Sequence, residues 1–332
     1  MKQCIKILKN QKLRRAKTGA SELAFSFLVA VALVFGLISC EKDLTLQLPE
    51  GEEKLVVEGH IEQGAPPVVV LTRSVPIFAP IDLTKLNEAF VHDAKITVST
   101  SGQSVTLQEF SSAQLPPQIV QQIEDQYGIS LGGSSGFELY FYSTTQMLGE
   151  VGKIYDLQIE HEGKLLTAKT SIPQLNPIDS LWTEPHPNPA NDSLVTLWYL
   201  YKDPDTLGNT VRYFTSRNHE PFYPGYFSSV FTDELVNGSK NIKFPLSRGQ
   251  ARQNTEDINF DVYGYFWKGD TVRIRWCAID NAHYRFWYTL EADRGSSGSP
   301  ISSPVKIKSN INGGLGIWGG YGVSNHSIII AN

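Results

Sequence analysis

Hydrophobic and polar residues alternate along much of the chain between residues 55 and 172. At residues 155–160, Tyr155, Leu157 and Ile159 alternate with polar residues, and a period of two places them on one face of a β-strand. The segment 57–62 alternates in the same way, with His60 on its polar side. Glycine-containing turns at 101–103 and 162–164 separate neighbouring strands. The pattern predicts a small antiparallel β-sandwich.

One segment in this half has a helical period instead. After Pro116, the apolar residues Ile119, Ile123 and Tyr127 follow one another at intervals of four. This spacing predicts a short amphipathic helix that begins at a proline and is inserted between strands.

The second half begins after a proline-containing segment, residues 173–179, which is typical of a domain boundary. Beyond it we predict strands at 194–201, 211–216, 259–267 and 271–279, and a helix at 281–294, with a strand at 284–290 as the alternative. Of the 36 aromatic residues, 24 follow residue 175, including all six tryptophans. They indicate either an aromatic-rich core or an aromatic binding face.

The predicted fold class is therefore mainly β, with two β-rich domains. Residues 55–173 are expected to form an immunoglobulin- or transthyretin-like sandwich with the short helical insertion. Residues 174–332 are expected to form an aromatic-rich β-sandwich or barrel with one helix. The composition, 41% hydrophobic and 19% charged, is ordinary for a globular protein.

The first 39 residues are typical of a signal peptide. Basic residues lie between positions 2 and 17, an uncharged apolar run covers 23–38, and Cys40 follows. Cleavage before Cys40 would remove seven basic residues and one acidic residue, which changes the net charge from −5 to −11. An acidic chain argues against a nucleic-acid partner. Residues 40–54 are polar and are predicted to be a tether.

Several motifs with catalytic associations lie in unsuitable contexts. Residues 314–319 fit GxGxxG, but no βαβ unit surrounds them, so glycines of a bulged closing strand are favoured over a dinucleotide site. Residues 132–136 fit GxSxG in a Gly/Ser loop rather than at a strand-to-helix turn. Residues 203–209 are read as a hairpin turn rather than a calcium loop.

The titratable candidates are equally scattered. Seven histidines show no metal-binding spacing, and His60 and His161 are expected to be solvated surface residues. Cys277 shares a strand face with Arg273 and Arg275, whose charges would lower the pKa of its thiol. No catalytic residue, metal site or cofactor is predicted.

The strongest candidate contact surface is the segment 220–227. Two prolines and a glycine disfavour a regular strand, which leaves large aromatic side chains in a loop. The alternative is that these rings close one end of the domain core. The predicted partner-binding residues are Phe222, Tyr223, Tyr226 and Phe227.

Several segments together resemble a known family. The end of the apolar run, Leu-Ile-Ser-Cys40, is similar to a bacterial lipobox. The segments 55–59 (LVVEG), 67–74 (PVVVLTRS), 155–157 (YDL), 170–173 (TSIP) and 309–321 (SNINGGLGIWGGY) resemble the Bacteroidota lipoproteins grouped as domain of unknown function four-two-four-nine.

This resemblance implies an outer-membrane lipoprotein held in the lipid by acylated Cys40, with cell-surface exposure left open. It also implies an accessory or ligand-capture partner of a TonB-dependent receptor. Two alternatives remain. One is a structural, assembly or adhesive role in the envelope. The other is a glycan-active enzyme with aromatic sugar platforms, for which no carboxylate pair is identified.

Overall fold

The computed structural model describes residues 52–75, 82–127, 131, 137–226, 228–251, 259, 261–296 and 305–332. Residues 51–332 form one compact unit. Cys40, the Gly/Ser segment 132–136 and Phe227 lie outside the described residues. Within the described ranges, no helix has the length and apolar character needed to cross a bilayer.

Seventeen strands and three α-helices are present among the described residues. The strands are β1 (Leu55–Glu62), β2 (Val68–Arg73), β3 (Lys95–Thr100), β4 (Gln103–Thr106), β5 (Gln108–Ser111), β6 (Tyr140–Ser143), β7 (Ile154–His161), β8 (Lys164–Ser171), β9 (Ser180–Pro185), β10 (Leu194–Tyr201), β11 (Thr210–Arg217), β12 (Tyr223–Pro224), β13 (Val230–Thr232), β14 (Ile242–Leu246), β15 (Phe266–Trp267), β16 (Thr271–Ile279) and β17 (Leu315–Ile329). The helices are α1 (Leu83–Glu88), α2 (Pro117–Tyr127) and α3 (Asn281–Ser296).

A nine-stranded sheet contains strands from both halves of the chain. Its order is β12-β11-β16-β17-β1-β2-β6-β5, and β13 also pairs with β11. The join between the halves is the pairing of β1 with β17, which is parallel, whereas the other neighbours are antiparallel. Two four-stranded sheets complete the molecule: β4-β3-β7-β8, and β14-β10-β15 with β9 beside β10.

Each small sheet packs on the large one and encloses a hydrophobic core. The first core lies under β3, β7 and β8 and includes Trp318, which β17 contributes from the far end of the chain. The second core lies under β10 and contains Tyr199, Tyr213 and Trp276. A smaller cluster on the other face of β11, β16 and β17 contains Cys277 and is covered by side chains of α3.

The mainly-β prediction is confirmed, and several elements lie where the pattern placed them. Strands β10 and β16 have the predicted bounds, α2 covers the predicted insertion, and α3 covers residues 281–294 rather than the alternative strand. The division into two domains stays a prediction. The tryptophans that follow residue 175 do not all belong to a second core, since Trp318 packs in the first.

Two local predictions are wrong. The strand at 259–267 is reduced to Phe266–Trp267, because residues 261–264 form a turn with Gly264 at a φ of +82°, a left-handed conformation that interrupts a strand. The segment 203–209 is not a hairpin turn, because β10 and β11, which it joins, lie in different sheets. Asp233 instead accepts hydrogen bonds from the backbone N–H groups of Gly208 and Asn209.

Candidate functional site

A pocket of about 260 Å³ lies on the polar face of the nine-stranded sheet. The polar sides of β1, β11, β16 and β17 form its floor, while α3 and the segment around Phe222 form its walls. Alternation explains this placement: residues between the floor positions, such as Tyr213 and Trp276, point into the second core. Its principal lining residues are Glu58, His60, Glu62, Arg212, Phe214, Phe222, Arg275, His283, Trp287 and Tyr321.

Arg212 is the buried cation of this pocket, with 5% of its surface exposed. Its Nε–H donates to the hydroxyl of Ser229 at 3.3 Å, and an Nη1–H donates to the hydroxyl of Tyr321 at 2.8 Å. The guanidinium carbon lies 3.4 Å from the ring centroid of Trp287 and 4.6 Å from that of Phe214. Ring faces and neutral hydroxyls therefore hold this positive charge.

Ser229 links Arg212 to a carboxylate on α3. Its backbone N–H donates to Glu291 at 3.0 Å, and its hydroxyl donates to the other carboxylate oxygen of Glu291. The hydroxyl oxygen of Ser229 thus accepts a hydrogen bond from the guanidinium of Arg212, while the hydroxyl hydrogen is donated to the carboxylate of Glu291. This relay fixes the orientation of Arg212 without placing a carboxylate directly on it.

Arg275 has a different partner. Its Nη2 donates to Glu62 in an ion pair whose side chains are 14% and 23% exposed, respectively. The ring of Phe222 lies against the same guanidinium: its centroid is 5.8 Å from the guanidinium carbon of Arg275. The guanidinium carbon of Arg273 is 5.2 Å from the same ring centroid. The charge of Arg275 is therefore compensated within the protein.

Two histidines contribute neutral rings to the pocket. Burial, reinforced by the charge of Arg275, lowers the pKa of His60 to about 4. Burial and the charge of Arg212 lower the pKa of His283 to about 3. Both rings are uncharged at neutral pH. The expectation that His60 is a solvated surface residue is wrong, because its ring is only partly exposed and packs edge-on against Tyr321 of β17, with 6.2 Å between the ring centroids.

His161, the second histidine expected in solvent, is also shielded. Its side chain is 11% exposed, and Nη2 of Arg73 lies 3.2 Å from its Nε2. The prediction of a solvated ring is therefore wrong for this residue too.

The pocket carboxylates are poorly placed for glycoside hydrolysis. Glu58 and Glu62 lie four residues apart on the same face of β1, which corresponds to about 13 Å along a strand, more than the roughly 5–9.5 Å between catalytic carboxyl groups. Glu62 is also engaged by Arg275. In the part of the chain that the structure describes, no group of three His, Cys, Asp or Glu side chains has a metal-binding arrangement.

Cys277 lies on the same face of β16 as Arg275, in the cluster that α3 covers, and is fully buried. Burial raises the pKa of its thiol to about 12, and this effect outweighs the opposing charges of Arg275 and Arg212. The expectation that neighbouring guanidinium groups lower this pKa is therefore wrong in its net direction. The residue stays a thiol at neutral pH and is a poor nucleophile there.

A family model described as "Domain of unknown function (DUF4249)" matches residues 41–327. The chain belongs to this family. The match covers every described element except the last residues of β17 and confirms the family resemblance noted in the sequence. No curated protein matches the chain.

The predicted contact segment of this DUF4249 chain is divided by the fold. Phe222 lines the pocket. Tyr223 lies in β12, which pairs with β11 opposite Thr215, and the ring of Tyr226 packs edge-on against Tyr263 at 3.9 Å between centroids. Phe227 is outside the described residues. The segment thus combines a pocket wall with local packing, and its role in partner binding stays a prediction.

The glycine motif of the DUF4249 chain belongs to the closing strand, as predicted. Residues 315–319 lie in β17 beside β1. At Gly316 the φ is +105°, and a Cβ atom would lie 1.9 Å from the carbonyl oxygen of Val57. At Gly319 a Cβ would overlap the ring of His283. These glycines allow backbone and rings to approach closely, which is a packing role.

Sequence reasoning missed four residues at the centre of the pocket. Arg212, His283, Trp287 and Tyr321 come from β11, α3 and β17, and no local motif connects them. The signal that the sequence offered was an arginine within the segment 211–214, whose other residues are Val, Tyr and Phe, together with two aromatic residues next to glycines in β17.

Proposed function

We propose that this protein is a non-enzymatic lipoprotein that captures a small ligand in the pocket around Arg212 for a TonB-dependent receptor. Cys40 would carry the acyl chains that hold it in the outer membrane. In this proposal the folded part of the chain stands off the membrane on the tether 40–54. The receptor is the protein partner, and the lipid bilayer is the second.

The observation that supports ligand capture is the buried guanidinium of Arg212. A buried charge held by neutral hydroxyls and ring faces is costly, and a protein gains from such a group when it recognises a ligand of opposite charge. The concave site combines aromatic walls with a few convergent polar groups, the usual composition of a small-molecule site. Phe222 places the predicted contact segment at the rim, where a receptor would meet the ligand.

The partner is tested by purification from the native outer membrane. The full-length chain with a C-terminal tag is extracted in mild detergent, and stoichiometric partners are identified by mass spectrometry. Recovery of a TonB-dependent barrel supports the proposal. Recovery of no partner, or of envelope assembly proteins alone, favours the structural role.

Substitutions in the contact segment then test the interface. We expect Tyr223→Ala combined with Tyr226→Ala to reduce receptor recovery strongly, since aromatic anchors carry a large share of interface energy. Tyr288→Ala is the matched control, because this tyrosine is 54% exposed on α3 and is not in the contact segment. Equal recovery with both variants would remove the segment from the interface. Phe222→Ala is measured separately because this ring also lines the pocket.

A further inference from the structure

We infer that the ligand of the pocket is an organic monocarboxylate with a flat apolar body, recognised by Arg212. This inference rests on the proposed capture function and names its substrate class. It follows from the donors that the pocket presents, the charge of its lining and its size.

The donor inventory favours an oxyanion. A guanidinium carries five N–H donors, and the described residues accept two of them, through Ser229 and Tyr321. The remaining donors are one on Nη1 and two on Nη2, which together form the planar fork that fits both oxygens of a carboxylate. The Nε1–H of Trp287, also in the lining, is buried without an acceptor among the described residues.

The charge of the lining favours a single negative charge. Three arginines, at 212, 275 and 294, stand against the carboxylates of Glu58 and Glu62, and His60 and His283 are neutral. One positive charge remains in this sum. Arg275 is paired with Glu62, whereas Arg212 is held by the hydroxyls of Ser229 and Tyr321 and has no carboxylate partner among the described residues. A dianion such as a phosphate monoester would carry one negative charge more than this single positive charge compensates.

The aromatic rings and the volume define the rest of the ligand. Phe214, Phe222 and Trp287 line the pocket, and the rings of Phe214 and Trp287 lie against the guanidinium of Arg212. Such surfaces stabilise a planar or aromatic body through apolar burial and stacking. A cavity of about 260 Å³ is slightly smaller than the usual range for ligand sites, so the ligand contains one or two rings rather than a long chain.

The test uses probes of one shape and different charge. The full-length chain in detergent is titrated with benzoate, benzamide, benzylammonium and phenyl phosphate, and binding is measured by calorimetry and by tryptophan fluorescence. We expect benzoate to bind with millimolar or better affinity and to exceed the other three probes by roughly tenfold, the difference that one charge-assisted bidentate contact makes.

Two variants test whether the preference for benzoate arises from charged residues that line the pocket. Arg212→Lys keeps the charge but loses the fork, and it should weaken benzoate binding by roughly tenfold. Glu62→Gln removes a competing carboxylate and should strengthen benzoate binding. Arg285→Lys is the matched control, because Arg285 is exposed on α3 and does not line the pocket. If the Arg212 variant does not fold, the preference of the wild-type chain for benzoate over benzamide still tests the carboxylate assignment.

Three results would overturn the inference: equal binding of benzoate and benzamide, preference for phenyl phosphate, or no benzoate binding at millimolar concentration. Unchanged benzoate affinity in folded Arg212→Lys would do the same. The receptor purification is done without any of these probes, so its result tests the proposed function independently of the ligand class. If a receptor is recovered but the pocket binds benzoate and benzamide equally, the proposed capture function is retained and the carboxylate assignment is rejected.

Discussion

At the scale of single residues, neighbours decide what each arginine of the pocket does. Arg275 and Arg212 lie on adjacent antiparallel strands and share one cavity. Glu62 neutralises Arg275, whereas Ser229 and Tyr321 only orient Arg212. A neutralised guanidinium is a structural group, and an oriented but uncompensated one is suited to binding an anion.

The buried histidines make stability depend on pH. His60 titrates at about 4 in the folded chain against an ordinary value of 6.5, so the unfolded chain binds more protons between these values. Stability contributed by the neutral ring is therefore complete above pH 6.5 and declines as the pH falls towards 4. We expect His60→Gln to flatten this decline by up to about 1.4 kcal/mol per pH unit.

Urea unfolding at several pH values between 7 and about 4 measures this slope. His219→Gln is the control, since this ring is exposed, and it should leave the slope unchanged. An equal slope in the wild type and in His60→Gln would show that His60 is not held neutral by burial.

Gly316 is the residue at which a side chain is least tolerable. Its φ is +105°, and a Cβ at this position would lie 1.9 Å from the oxygen of Val57, so backbone strain is combined with overlap against backbone. We expect Gly316→Ala to lower the free energy of unfolding by about 3 kcal/mol or more. Gly295→Ala in α3, where a Cβ meets nothing within 4 Å, should instead stabilise by up to about 1 kcal/mol. Denaturant titration of both variants measures whether the free energy of unfolding falls in Gly316→Ala and rises in Gly295→Ala. Only a small decrease in Gly316→Ala would contradict the close packing at this position.

At the scale of elements, β17 connects the two cores. Its early residues pair in parallel with β1, and its later residues pair with β16. Trp318 fills the first core, while Ile328 packs against the second. Gly59 is the pairing partner of Trp318 and leaves room for the indole, since a Cβ there would lie 2.8 Å from the ring.

Removal of the indole should be costly. Trp318 is fully buried, and its Nε1–H donates to the carbonyl of Tyr155 at 3.1 Å. We expect Trp318→Ala to destabilise the protein by about 3–5 kcal/mol, since it creates a cavity and leaves that carbonyl unpaired. Trp182→Ala, which truncates a partly exposed indole on β9, should cost less than half as much. Similar losses in the two variants would argue against the position of Trp318 in the core.

The helix α3 shows how one element builds a site. It covers the face of the sheet that carries Cys277, and it brings His283 and Trp287 to the pocket wall. Asp280, just before the helix, accepts from the backbone of His283 at 2.9 Å and from the hydroxyl of Thr170. These bonds fix the start of the helix, and thereby the position of the pocket residues.

At the scale of the whole molecule, the shared sheet couples the two cores. Since β17 belongs to both, unfolding of one core removes strand pairing from the other. We expect both cores to unfold in one cooperative transition in denaturant. Trp318→Ala in the first core should therefore also lower the denaturant midpoint that the fluorescence of the tryptophans in the second core reports. Far-UV circular dichroism and tryptophan fluorescence should coincide in both proteins. Two separate transitions would favour independent domains divided near Pro173.

The sequence alone determined the elements whose signals are local. Alternation predicted β1 and β7, helical spacing predicted α2, and the glycines of residues 314–319 indicated a closing strand. The aromatic segment also directed attention to Phe222, which does line the pocket. Such features depend on period and turn chemistry within a few residues, which the chain itself displays.

Tertiary structure alone decided the site and the joining of the halves. The parallel pairing of Gly59 with Trp318 links residues more than 250 positions apart, and no periodicity encodes that register. Burial, not residue type, made the ring of His60 neutral and raised the pKa of Cys277. Arg212 became a candidate binding residue because β11, β17 and α3 converge around it. Charge, exposure and hydrogen bonding depend on such distant neighbours, so they exist only once the chain is folded.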